Sequence, residues 1–420
     1  MNKVADLIQE LCPDGVDTVA LGDVIEDLRT GLNPRANFQL NTLDARNHYV
    51  TVRELNGFGL TITDKTDRVN DDGLKLILKR SRLKKGDVLF SGTGTIGRTS
   101  LLLDTPTNWG IKEGVYAITP VHTKMNPRYL IYLLTSPSKL DRIKELADGS
   151  TVASISMASL RKLELELPPL KIQQEIVRIL DTFTELEAEL EAELEARKSQ
   201  YEFYRDQFLS FQGVEEERVP FYSLGVIGTT VSGLRGKSKE DFSHGNAPYV
   251  SYVEIFNNPA IDFVPEKRVK VASSESQSAI QLGDVLVTGS SETRNECGMT
   301  AVVTTEPILP VYVNSFCFIW RPNKDVELDP HFAKHLFRGR AFRDRIIETA
   351  NGVTRQNISK PKFMSIEIPI PPVEIQRAVA SILNRFTELE ADLDVELQTR
   401  RQQYEYYRSK LLTFKELEDA

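Results

Sequence analysis

The sequence predicts an α/β protein made by internal duplication, in which two α/β units are separated by two long helices packed as an antiparallel coiled coil. Three observations carry that expectation. One 49-residue segment occurs twice, each copy changes from strand-like alternation to a heptad pattern at a proline pair, and each is preceded by short apolar runs that end in an amphipathic stretch.

The repeat comes first. Residues 163–211 and 366–414 match at a fixed offset of 203, with 24 identities in 49 positions. Pro168, Pro169, Gln173, Phe183 and Tyr204 stay in step with Pro371, Pro372, Gln376, Phe386 and Tyr407, which helical low complexity alone would not preserve. The prolines stop the LELEL and IEIPI runs, and a helix follows. Along it one seam row holds Leu180, Glu187, Leu194, Tyr201 and Phe208, and the other holds Phe183, Leu190, Arg197, Tyr204 and Phe211. The second copy gives Leu383, Glu390, Leu397, Tyr404 and Leu411 beside Phe386, Leu393, Arg400, Tyr407 and Phe414. At 1.5 Å per residue the seam spans about 48 Å.

Charge sets the direction of pairing. Both copies interrupt the seam with a glutamate in one row and an arginine in the other. A parallel in-register pair would oppose Glu187 to Glu390 and Arg197 to Arg400, leaving like charges in contact. An antiparallel pair that aligns Glu187 with Arg400 also aligns Arg197 with Glu390, Leu190 with Leu397, and Leu194 with Leu393. It sets Leu180 on Tyr407 and Phe183 on Tyr404. Reciprocal ion pairs are therefore expected to fix the register. Pairing within one chain is favoured over separate dimerisation helices because the partner is always present at high effective concentration.

The longer units repeat more faintly. Lys85-Gly86-Asp87-Val88-Leu89 parallels Leu282-Gly283-Asp284-Val285-Leu286, and Asn126-Pro127 parallels Asp329-Pro330. Strands are expected at HYVTV, LKLIL, DVLFS and GVYAITP, and at APYVSYV, DVLVTG and NSFCFIW in the second unit, with an amphipathic helix beginning near Pro127 and near Pro330. The expected divisions are 1–162, 163–212, 213–365 and 366–420.

Composition narrows the class. The chain has 420 residues, 40% apolar and 27% charged, and a net charge of -8. The acid is local: segment 163–211 carries -7 and segment 366–414 carries -2, which leaves the remaining residues close to neutral. The two units can therefore approach a polyanion. Cys12, Cys297 and Cys317 form neither an even set nor a metal spacing. No run is long enough to span a membrane, and Asp6, Glu10, Asp14 and Asp17 argue against a secretory leader, so a cytoplasmic protein is expected.

Several motifs tempt. Gly92-Thr93-Gly94-Thr95-Ile96-Gly97 matches a dinucleotide fingerprint, but RTSLLLD after it is β-like where a pyrophosphate site needs a helix. A tight hairpin with left-handed glycines is the expectation. In the second unit its place is taken by Thr288-Gly289-Ser290-Ser291-Glu292-Thr293-Arg294, and a loop that keeps its place while changing side chains behaves as a recognition loop. Thr93, Thr95, Arg98, Ser290, Thr293 and Arg294 are accordingly nucleic-acid candidates. So are Ser150, Thr151, Thr354, Arg355, Gln356 and Asn357, which follow the amphipathic stretches and suit phosphate or base-edge contacts. Gly149 and Gly352 read there as helix C-caps. His331 and His335 share one helical face but lack the glutamate of H-E-x-x-H and further ligands, so no metal site is expected. No catalytic constellation recurs in both units.

Two units that each end in Pro-Pro-x-x-Ile-Gln before a long charged helix (PPLKIQ and PPVEIQ), each with a Gly-Asp-Val-Leu strand and a small-residue loop, resemble the specificity subunit of a type I restriction-modification enzyme. The resemblance covers nearly the whole chain. It implies two target recognition domains reading the halves of a split, asymmetric site in double-stranded DNA, with the helices setting the spacer between them. It implies no catalysis and no cofactor in this chain. The expected partners are two modification subunits, which use S-adenosylmethionine to methylate adenine, and restriction subunits that use ATP and Mg. The second unit departs from GTGTIG with GSSETR, so base contacts cannot be carried across. A coiled-coil scaffold without DNA preference is the competing class, and a self-contained methyltransferase lacks the βαβ unit it would need.

Overall fold

The computed structural model describes residues 2–35, 37–147, 153–211 and 219–415. They fall into two compact units, one formed by residues 1–189 with 397–420 and the other by 190–396.

Unit 1 opens with helix α1 (Asn2–Leu11). Its central antiparallel sheet is built from β1 (Ile25–Thr30), β2 (Val88–Ser91), β3 (Thr99–Leu101) and β4 (Val115–Pro120), in the order β1-β4-β2-β3. Every residue of β2 and β4 is buried, as expected for strands flanked on both sides and covered on both faces. Unit 2 repeats the arrangement with β5 (Gly228–Ser232), β6 (Ala260–Ile261), β7 (Val285–Thr288), β8 (Thr300–Val303) and β9 (Cys317–Pro322), ordered β5-β9-β7-β8-β6. The short β6 adds a parallel edge beside β8.

Most expected strands form, with one clear exception. LKLIL lies inside a helix, Asp71–Ser81. Asn70 caps its N-terminus by accepting from the Gly73 amide, Asp71 and Asp72 complement the helix dipole, and Leu74 and Ile77 are buried while Leu76 is exposed. That spacing is helical, and the capped N-terminus decides for a helix where apolar density alone suggests a strand. APYVSYV likewise divides into a strand, Ala247–Val250, and a helix, Tyr252–Asn257, capped by Ser251. Each amphipathic stretch forms two helices rather than one. Pro127–Leu134 and Pro137–Glu145 break at Ser136-Pro137, whereas Pro330–Leu336 and Arg340–Glu348 break at Gly339.

The long helices are α2 (Leu170–Ser210) and α3 (Val373–Leu411). Unit 1 contains the first half of α2 and the last part of α3, and unit 2 contains the remainder of each. Within each unit they run antiparallel. In unit 1 the Phe183 ring lies 5.5 Å from Tyr407 and 6.4 Å from Tyr404, while Glu187 pairs with Arg401 at 2.6 Å. In unit 2 Tyr204 stacks on Phe386 at 5.5 Å, the symmetric counterpart of Phe183 on Tyr407. All the seam positions named above are buried or half-buried.

The expected ionic register needs correction. Glu187 is met by Arg401, one residue beyond the Arg400 of the expected pairing, and Arg400 donates to Gln403. Arg197 turns to Glu193 and Gln200 of its own helix instead of Glu390. Glu390 keeps a buried Oε1 with no hydrogen-bond partner among the described residues, and burial pushes its carboxyl above the usual range. The physical reason is reach: flexible Arg side chains satisfy themselves at i±3 or i±4 on their own helix, while the aromatic rows carry the packing. Helical side chains lean toward their own N-terminus, so antiparallel rings meet about a turn away from the residue directly opposite.

Candidate nucleic-acid interface

In unit 2 the two candidate loops form one site. Strands Ala350–Asn351 and Gln356–Ile358 pair as a hairpin, and Gln356–Ile358 also pairs with Ser290–Ser291, in the register Ser290 to Asn357 and Ser291 to Gln356. Arg355 Nε donates to the Ser290 hydroxyl at 3.0 Å, and its guanidinium lies 5.4 Å over the ring of Phe316. Phe316 is 61% exposed, a large apolar face left open to solvent beside a positioned cation. The Gln356 side chain donates to the Gly352 carbonyl, and that of Asn357 to the Arg355 carbonyl. Thr354 and Arg294 are exposed, and Thr293 donates to Glu296. Gly352 is not the expected helix C-cap. The helix ends at Glu348 with Thr349 as its cap, and Gly352, at φ +138, serves the hairpin turn.

Unit 1 builds the same crossing with other side chains. Gly92-Thr93-Gly94-Thr95-Ile96-Gly97 is a hairpin between β2 and β3, with Gly94 at φ +77 and Gly97 at φ +96. A left-handed hairpin leading into a strand cannot present a helix N-terminus to a phosphate, so the dinucleotide reading falls. Thr93 bridges to Ser154, their hydroxyls 3.0 Å apart, and the Gly94 amide donates to the Ala153 carbonyl. Thr95 and Arg98 are exposed, with Arg98 reaching the Val52 carbonyl at 3.4 Å. Beside Thr93 opens a cleft lined by Asn33, Thr51, Arg53 and Lys112, polar groups that sequence reading did not single out because they come from three separate segments. Ser150, Thr151 and Gly149 lie outside the described residues.

The backbone of the two crossings is equivalent. The Gly92 amide donates to the Gly114 carbonyl while the Gly92 carbonyl accepts from Ile155; Gly289 does the same with Phe316 and Ile358. Gly92 has no room for a side chain, since a Cβ there would lie 2.2 Å from the Tyr116 ring. At this crossing, Thr93, Gly114 and Ser154 of unit 1 stand where unit 2 has Ser290, Phe316 and Asn357.

Buried polar groups hold each crossing in place. Gly86 and Gly283, at φ +85 and +83, turn the chain so that Asp87 and Asp284 point into the sheet, both fully buried. Asp87 is met by Arg29 from β1 at 2.8 Å and by the Thr119 hydroxyl. Asp284 accepts two bonds from Arg321, at 2.7 and 2.6 Å, and one from the Gln281 amide at 2.8 Å. Burial raises the Asp284 carboxyl and the Arg321 contact pulls it back down, with burial the larger effect.

The glutamine of Pro-Pro-x-x-Ile-Gln is a second lock. Gln173 donates to the carbonyls of Lys124 and Pro168 and accepts from the Asn126 amide, all at 2.8 Å. Gln376 makes the identical set with Glu327, Pro371 and Asp329. Asn126 and Asp329 cap the helices starting at Pro127 and Pro330, so one buried amide ties each long helix to the helix pair leading to the crossing. His335 is a third anchor. Its ring nitrogens meet the Tyr201 hydroxyl at 2.9 Å and Asn384 at 2.8 Å, and burial lowers its pKa to about 4. His331 is exposed, so the pair does not converge. Among the described residues no three His, Cys, Asp or Glu side chains gather as a metal site, and no helix is long and apolar enough to cross a membrane.

Comparison with known proteins gives the family. The family described as type I restriction modification DNA specificity domain matches residues 13–196 and again 216–399. The type I restriction enzyme EcoR124I/EcoR124II specificity subunit of Escherichia coli is 30% identical, over 68% of this chain and 70% of that one. The putative type I restriction enzyme MjaX specificity subunit of Methanocaldococcus jannaschii is 24% identical over 90% of this chain and 88% of that one. Among solved structures, a chain from a study of complex assembly and conformational transition of the type I R-M system superposes with TM-score 0.63 at 15% identity, covering 96% of this chain and 98% of that one. The S subunit of a type I restriction-modification system from M. genitalium gives 0.51 at 15%, covering 95% and 96%, and these likenesses speak to the fold. With two family matches that follow the internal duplication, the chain belongs to the type I restriction modification DNA specificity family, a family of non-catalytic specificity subunits.

Proposed function

We propose that the chain is the DNA-reading subunit of a cytoplasmic type I restriction-modification complex. Each unit is a target recognition domain, assigned to residues 1–162 and 213–365, and reads one half of a bipartite, asymmetric site. The segments 163–212 and 366–420 space the halves. Modification subunits, two per complex, carry S-adenosylmethionine, and restriction subunits carry ATP and Mg; both are recruited by this chain.

The observation that carries the reading is the loop crossing. An unchanged backbone frame at Gly92 and Gly289 presents different side chains in the two units, as two readers of different half-sites require. In unit 2 Arg355, oriented by Ser290 and Phe316, suits a guanine edge, and Asn357 and Gln356 suit adenine. In unit 1 Thr93, Thr95 and Arg98 serve, with Ser150 and Thr151 as further candidates. The seam of about 48 Å is long enough for contacts about one DNA turn apart, ~35 Å.

The test is to co-express the chain with its modification subunit and map methylated adenines across a genome. A split motif with a fixed spacer is expected; a contiguous motif, or none, contradicts the proposal. A scaffold without DNA preference predicts only salt-sensitive binding to mixed DNA, with no selective component left at higher salt.

A further inference from the structure

Each unit carries a second, smaller sheet, and the two sheets match strand for strand. In unit 1 Asn47–Val50 lies between Arg68–Val69 and Trp109–Ile111; in unit 2 Ala247–Val250 lies between Arg268–Val269 and Tyr312–Val313. The register is the same, with His48 opposite Arg68 and Pro248 opposite Arg268. Both middle strands end in a capping box, Thr51 with Glu54 and Ser251 with Glu254. The third strand then leads into the crossing. Lys112 and Asn314 donate their amides to the Val50 and Val250 carbonyls, and Gly114 and Phe316 follow with the carbonyls that accept from Gly92 and Gly289. Box and crossing thus share one rim in each unit.

A cation stands at each box, but it comes from a different strand. In unit 1 Arg53, inside the box, donates through Nε to the Thr51 hydroxyl at 3.4 Å. In unit 2 the matching residue is Val253, and Lys267 of the neighbouring strand donates to the Ser251 hydroxyl at 3.0 Å. Lys267 stands in the place of Asp67, since the Tyr49 amide donates to the Asp67 carbonyl and the Tyr249 amide to that of Lys267. Both cations reach solvent. The Arg53 side chain is 60% exposed and pairs with Asp67 at 2.9 Å. Lys267 is exposed, and Ser251 is the one hydrogen-bond partner of its ammonium among the described residues.

Stability does not account for the arrangement. Each cation stands at the first turn of a helical segment, the end whose dipole favours an anion, and an exposed ion pair contributes little. A charge that stays in place while its source moves between strands points to a ligand common to both units. Base edges differ from one half-site to the next; the phosphate backbone does not. We infer that Arg53 and Lys267 grip DNA phosphates and so set each crossing in register over its half-site. Grip and reading then belong to different residues of one rim: the side chains of the crossing vary, and the cation at the box is kept. This rests on the function proposed above.

The test uses the full chain in complex with the modification subunit, on one duplex carrying its mapped split site and one of mixed sequence. Affinity is measured against salt for the wild type, R53Q, K267Q and the double variant, with R53K and K267R keeping the charge. The slope of log affinity against log salt should fall by about 0.9 in each single glutamine variant and about twice that in the double, on both duplexes. R53K and K267R should keep the wild-type slope, and the methylated motif of every variant should keep its letters. A wild-type slope in R53Q and K267Q overturns the inference. So does a loss confined to the split-site duplex, or a changed letter in the motif, since either makes these residues base readers. A slope lost equally in R53K and K267R also overturns it, because packing and not charge would then be the cause. A wild-type complex that binds both duplexes alike overturns the proposed function, and one that binds neither overturns both.

Discussion

At the end of β2 Gly92 draws together Gly114 and Ile155; at the end of β7 Gly289 draws together Phe316 and Ile358 through the same backbone bonds. The side chains on the two frames share almost nothing. Thr93 and Ser154 touch through hydroxyls in unit 1, whereas unit 2 sets Arg355 between Ser290 and an exposed Phe316. Beneath the frames the pattern reverses: Gln173 and Gln376 keep every partner, and the buried aspartates keep their charge neutralised. Thr119 stands opposite Asp87 while Arg29 reaches across from β1, and in unit 2 Arg321 takes the position of Thr119 itself. The support is thus maintained by two routes to one electrostatic end, and the rim is left free to vary.

The comparison can be broken most sharply at the aspartates. Asp87→Ala takes from Arg29, with a side chain only 6% exposed, its fully buried carboxylate at 2.8 Å and leaves it Asp27 at 3.6 Å, and should cost about 3–5 kcal/mol in urea unfolding. Asp284→Ala should cost less, about 1–3 kcal/mol, because the Arg321 side chain is 25% exposed and can turn to water. Equal losses would show that the two routes are energetically the same. Next come the glutamines. Gln173→Leu and Gln376→Leu each strip partners from three backbone groups, and each should cost about 1–3 kcal/mol by the same amount in either unit. A clear difference between them would end the claim that the lock is shared.

A smaller effect separates the units by pH. Unit 1 has Tyr132, bonded to Asp181, where unit 2 has His335 on Asn384. The folded His335 binds its proton only near pH 4, whereas an unfolded histidine does so near pH 6.5, as Lys334 and Arg205 add to the effect of burial. The unfolded chain therefore gains protons first, and stability should fall as pH drops from about 6.5 toward 4, by roughly 1.4 kcal/mol per unit at most. Glu390 and Asp284, whose pKa values are raised, act with the opposite sign on acidification, so the readout is a difference. His335→Gln should lower stability at neutral pH and flatten that slope; an unchanged slope would remove His335 as its source.

The duplication, the seam and the long helices were legible because heptads and proline pairs are local signals. The locks were legible only as repeated letters, since the meaning of Gln173 depends on carbonyls 5 and 49 residues away. The candidate loops were found separately, but that Ser290 pairs with Asn357 and Thr93 with Ser154 is a tertiary fact no spacing reveals. Helix α1 carried a readable signal in Val4, Leu7, Ile8 and Leu11 that charge near the N-terminus obscured. The ionic register failed because arginines find partners on their own helix as readily as across a seam.

Independence of the two crossings is most directly measured by methylation mapping after a loop exchange. Residues 350–357 would be replaced by the corresponding hairpin of another family member, in the complex with the modification subunit. The account predicts that one half of the split motif changes while the other half and the spacer length stay fixed. A change in both halves, or no change in either, would contradict it.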